Sequence, residues 1–219
     1  MNASELLPAL RIETGAHPTA AVIWLHGLGA DGHDFEPIVP EFDLPATTTV
    51  RFVFPHAPVR PVTVNAGMRM RAWYDFARMD LVGSETWEHI SESVQQVRAL
   101  MAEEVRLGIA PERVFLAGFS QGGVIALHAG LTHPEPIGGV IALSTYLPFA
   151  ERVAPRQRPA VFLAHGQHDP VIPLAAAERA RDWLKDAGCD LRWQVYPMQH
   201  SVCMPEIADI RSWLLRRLA

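Results

Sequence analysis

The 219-residue chain is 49% hydrophobic and carries 19 basic against 24 acidic residues, a net charge of -5. With no run of lysines or arginines to track phosphates, this balance argues against a nucleic-acid partner. Its size suits one compact domain, residues 1–219, with a substantial core. The opening stretch MNASELLPALRIETG lacks the basic and apolar regions of a secretory leader. No apolar run approaches the ~18 residues of a membrane span. A cytoplasmic protein without stable membrane insertion is expected.

In chain order, residues 10–13 read as a leading edge strand. Further strands follow at 21–25, 50–54, 114–117, 140–143, 160–164 and 191–196, several apolar throughout, as in a sheet covered on both faces. A long helix is expected over 86–107, where Trp87, Ile90, Val94, Val97, Leu100, Met101 and Val105 form one stripe and Gly108 provides a stop. Later helices follow Ser120, span about 174–187, and close the chain at 207–218. The alternation of strand and helix implies a mostly parallel α/β sheet flanked by helices. Cys189 and Cys203, the only cysteines, have no C-x-x-C spacing and read as free thiols.

Function in such sheets gathers beyond the carboxyl ends of the strands. There the chain places His26-Gly27-Leu28-Gly29, then Gly118-Phe119-Ser120-Gln121-Gly122, then Asp169 within HGQHDPVIP, and finally His200. Ser120 sits at a strand-to-helix corner in a G-x-S-x-G pattern, whose small residues let strand and helix pass closely. An acid and then a histidine follow the serine, in the order of α/β-hydrolases. Asp169 precedes the expected helix too early to serve simply as its cap. His165, His168, Asp169 and His200 lack a spacing such as H-E-x-x-H, so no metal is expected. Cys203 reads as a small buried residue before the last helix.

The segments WLHGLGADGHDF, FPHAPVRPVTVNAGMRMRAWYDF, LAGFSQGG, LSTYLP, LAHGQHDPVIP and QHSVC resemble the phospholipase/carboxylesterase family of α/β-hydrolases, which includes carboxylesterases and acyl-protein thioesterases. The resemblance covers nearly the whole chain. It implies a single-domain α/β-hydrolase without a large lid, and without a cofactor. Ser120 would be the nucleophile, His200 the general base and acid, and Asp169 the residue that orients His200. The backbone N–H groups of Leu28 and Gln121 would form the oxyanion hole, and the Gln121 side chain need not take part. His26 would hold the loop that follows it by hydrogen bonding, and Gly32, His33 and Asp34 would shape it. Leu28, Trp73, Leu147 and Val171 are the expected substrate contacts, although Trp73 equally suits a core position.

The substrate implied is a small ester or thioester of short to medium acyl chain. A lysophospholipid or an acylated protein is the alternative within the same fold, and a catalytically silent binding module is a third reading. Intact Ser120, Asp169 and His200 argue against that third reading. The resemblance, with apolar surface expected around Leu147, Phe149 and Met204, also points to a homodimer.

Overall fold

Apolar residues occupy both faces of the central strands, and a computed structural model, describing residues 6–78 and 83–219, accounts for this pattern. Seven strands form one sheet: β1 (Ala9–Glu13), β2 (Ala20–Leu25), β3 (Val50–Pro55), β6 (Val114–Phe119), β7 (Gly139–Leu143), β8 (Ala160–Gly166) and β9 (Asp190–Tyr196). Their spatial order is β1-β3-β2-β6-β7-β8-β9. Only β1 runs antiparallel, paired with β3 at the edge; the other pairings are parallel. The first five residues of the opening stretch lie outside the described residues. Among the described residues no helix is long and apolar enough to cross a membrane.

Successive side chains of a strand point to opposite faces, and the sheet separates two apolar layers accordingly. Ala21, Ile23 and Leu25 face a layer shared with α1 (Trp87–Arg106), α2 (Gln121–Leu131) and α3 (Leu174–Asp186). Val22 and Trp24 face the other layer, where Phe35, Val39 and Phe42 meet α4 (Met204–Leu218). Every residue of α2 is buried, because α2 lies beside β6 and also packs on α1.

Several features depart from the sequence expectations. β4 (Val59–Val62) and β5 (Met68–Arg71) form a separate antiparallel hairpin. β8 runs on through His165 and Gly166. The last helix begins at Met204 rather than 207, with Pro205 in its first turn, where a missing N–H costs no helical hydrogen bond. Cys203 caps this helix and is only half-buried. Its backbone N–H donates to the Glu206 side chain at 3.4 Å.

Candidate active site

Ser120 lies between β6 and α2 with φ 54° and ψ −120°, a conformation that costs a non-glycine residue on the order of 1–3 kcal/mol. The surroundings impose it. The Ser120 N–H donates to the Leu143 carbonyl at 2.9 Å, and Thr145 Oγ1 donates to the Ser120 carbonyl at 2.8 Å. Gly122 allows the corner to press against β2: a Cβ there would stand 2.3 Å from the Leu25 carbonyl oxygen and 2.7 Å from that of His26.

The acid and the histidine come from two loops held together. Gly166, ending β8, lets the 198–199 backbone approach until a Cβ would stand 2.2 Å from the Gln199 carbonyl oxygen. The His168 N–H donates to the Met198 carbonyl at 3.0 Å. Asp169, its side chain fully buried, receives the Val171 and Ile172 N–H groups on Oδ1 at 2.8 and 2.9 Å. Its Oδ2 accepts from His200 Nδ1 at 2.7 Å. Burial pushes the Asp169 carboxyl upward, but the His200 hydrogen bond and the two backbone donors outweigh it and hold the group below its usual range.

A carboxylate can only accept, so the His200 proton on this side resides on Nδ1. Nε2 is left to accept from Ser120 Oγ at 3.1 Å. Phe119 packs on the imidazole with ring centroids 4.7 Å apart. His165 supports the same loop, with Nε2 donating to the Ile172 carbonyl at 2.9 Å, and burial lowers its pKa.

On the other side of Ser120, the loop after β2 is fixed through His26. Its Nδ1 donates to the Gly27 carbonyl at 2.7 Å, and its Nε2 accepts the Ala57 N–H at 3.1 Å. Burial pushes this imidazole down to about 4, which keeps it neutral. The Leu28 N–H shares a peptide plane with the Gly27 carbonyl, so the His26 bond also sets the direction of that N–H. Neither the Leu28 nor the Gln121 backbone N–H has a hydrogen-bond partner among the described residues.

A cavity of about 330 Å³ opens onto Ser120 and His200, walled chiefly by Leu28, Val64, Phe76, Phe119 and Val171. Leu28 and Val171, two of the expected substrate contacts, line this cavity. Trp73 does not: it is wholly buried, with its indole N–H donating to the His26 carbonyl at 2.9 Å. Leu147 lines a neighbouring cavity of about 410 Å³ with Phe149 and Trp183. Tyr146 separates the two spaces. Its hydroxyl donates to Glu85 at 2.7 Å and lies 3.3 Å from that of Tyr74. Asp34, expected only to shape a loop, reaches the first cavity, as do Asn65 and Tyr74.

The sequence model of the phospholipase/carboxylesterase family matches residues 9–217. The chain belongs to this family. A similar relative is acyl-protein thioesterase 1 of Gibberella zeae, 36% identical over 100% of this chain and 98% of that protein. Another is the carboxylesterase SOBER1 of Arabidopsis thaliana, 35% identical over 90% of each. The crystal structure of SOBER1 covers 91% of this chain and 99% of its own at 34% identity, with a TM-score of 0.85. This phospholipase/carboxylesterase family member therefore has the α/β-hydrolase fold, with a mostly parallel sheet between helices.

Proposed function

We propose that the protein is a serine hydrolase that cleaves short- to medium-chain carboxylic esters and thioesters through an acyl-enzyme. The observation that carries this reading is the continuous relay from Ser120 Oγ through His200 to Asp169, at 3.1 and 2.7 Å, at the edge of an apolar cavity. As Ser120 Oγ attacks the carbonyl carbon, its proton passes to His200 Nε2, and Asp169 stabilises the resulting imidazolium. The carbonyl oxygen becomes an oxyanion that the Leu28 and Gln121 N–H groups receive. Such donors contribute on the order of 3 kcal/mol each. His200 then protonates the departing alcohol or thiol, and water, activated by the same imidazole, releases the acid.

No step in this scheme requires a cofactor. The cavity, about 330 Å³, sits at the lower end of the roughly 300–1,000 Å³ range of ligand pockets, which favours short and medium chains. A cytoplasmic setting is part of the proposal. So is a homodimer that uses the apolar surface at Met204, 57% exposed; a monomer by light scattering at micromolar concentration would remove that element.

A second reading, action on acylated proteins or lysophospholipids, draws support from the relative named acyl-protein thioesterase 1 and from the adjoining cavity beyond Tyr146. A panel of p-nitrophenyl esters, an acyl thioester, a lysophospholipid and a palmitoylated peptide separates the two. Each buried methylene adds up to about 0.8 kcal/mol, so two or three matched carbons change kcat/KM by more than about tenfold. The favoured reading expects a maximum at short to medium chains, with the thioester also cleaved. A strong preference for the lysophospholipid or the palmitoylated peptide reverses the ranking, and inactivity throughout restores the binding-module reading.

A further inference from the structure

The Leu28 and Gln121 N–H groups reside on different elements, yet to meet one oxygen they must keep a fixed separation, within about 0.5 Å. The β2–β6 ladder cannot supply it alone, since its last pair is Leu25 with Gly118, three residues short of each donor. A buried polar circuit spans the gap. The Gln121 carboxamide accepts the Trp73 N–H on Oε1 at 3.1 Å and donates from Nε2 to the Tyr74 carbonyl at 2.9 Å. The Trp73 indole N–H returns to the His26 carbonyl at 2.9 Å, and Ser93 on α1 donates to the Trp73 carbonyl at 2.5 Å. Trp73, His26 and Gln121 are all buried. A fully partnered network of this kind is rigid and has one arrangement.

We infer that Trp73 and the side chain of Gln121 are positioning residues that lock the two oxyanion donors to each other. Neither side chain need touch the substrate: the Gln121 carboxamide ties the start of α2 to residues 73–74, and the Trp73 indole ties those residues to the loop that carries Leu28. Gln121 thus works twice, through its backbone N–H on the oxyanion and through its side chain on the spacing of the pair. The inference rests on the hydrolase reading above. A displacement of about 1 Å in a catalytic donor costs about 10²-fold in rate, so a loosened circuit should appear in turnover and leave ground-state binding intact.

The test uses Trp73→Phe, Gln121→Met and the double variant. Each is measured for kcat and KM on a p-nitrophenyl ester, for affinity toward a boronic acid that forms a tetrahedral adduct with the serine, and for Tm. Each single variant is expected to lose about tenfold to a hundredfold in kcat, with KM held within about twofold and boronic acid affinity falling by the same factor as kcat/KM. Because both changes open one circuit, the double variant should lose little more than the worse single. Unchanged kcat/KM, a loss confined to KM, or single effects that multiply in the double would each overturn the inference. If Trp73→Phe does not fold, the split between kcat and KM in Gln121→Met decides alone. An inactive wild-type protein would instead defeat the hydrolase reading, so the two failures are distinguishable.

Discussion

Replacing Gly122 with alanine tests whether the close passage of α2 over the end of β2 sustains both the fold and the chemistry. The added methyl would stand 2.3 Å from the Leu25 carbonyl oxygen and 2.7 Å from that of His26. Carbon–oxygen contacts are comfortable near about 3.3 Å, so backbone must retreat by about 1 Å, and no flexible side chain is available to absorb the shift. Overpacking of this kind costs about 1–3 kcal/mol. The displaced segment leads directly into Gly27 and Leu28, so the same shift misplaces a proposed oxyanion donor and should lower kcat about 10²-fold. Gly108→Ala is the control: its φ of +99° strains an alanine, but nothing lies within 4 Å of the added carbon. It should lower Tm and leave kcat unchanged. Thermal melts with p-nitrophenyl ester kinetics read both effects. A Gly122→Ala protein with wild-type kcat, or a Gly108→Ala protein as inactive as Gly122→Ala, would refute the reasoning.

Asp169→Asn should fold, because an amide oxygen still accepts the Val171 and Ile172 N–H groups, yet its amino group facing Nδ1 forces the proton onto Nε2, and kcat should fall about 10⁴-fold; a loss below tenfold contradicts this. Acid should destabilise the protein between pH 6.5 and about 4, since burial pushes both His26 and His128 down to about 4 and the unfolded chain therefore binds more protons across that window. His128→Gln should flatten this dependence by on the order of 3 kcal/mol, and an unaltered Tm profile from pH 7 to 4 would count against the assignment. Dialysis against EDTA should leave ester hydrolysis intact, whereas a loss restored by zinc would contradict a mechanism made only of side chains and backbone donors.

The central strands are legible because β2, β6, β7 and β8 are apolar on both faces, a pattern that only a doubly covered sheet requires. The corner at Ser120 and the loops of Asp169 and His200 are legible because each stands just past a recognisable strand, apolar through β6 and residues 160–164 of β8 and alternating in β9. The β4–β5 hairpin is not, since Pro61 argues against a strand and each run, Val59–Val62 and Met68–Arg71, is only four residues long. Trp73 shows a different limit: a large aromatic with a polar edge suits a pocket mouth or a core, and only a carbonyl 47 positions away in sequence, that of His26, decides between them. The Gln121 side chain is obscure for the same reason, because its partners at residues 73 and 74 are distant in sequence. Leu147 fails by direction alone: it is next to Tyr146, which reaches both cavities, but turns into the second.

The most direct measurement is covalent capture. The protein is treated with a fluorophosphonate probe, digested and mapped by mass spectrometry, beside Ser120→Ala and His200→Ala. The relay at 3.1 and 2.7 Å predicts a single adduct on Ser120, much slower labelling in His200→Ala, and neither labelling nor esterase activity in Ser120→Ala. An adduct on another serine, or full ester hydrolysis by Ser120→Ala, would contradict the assignment of Ser120 as the nucleophile.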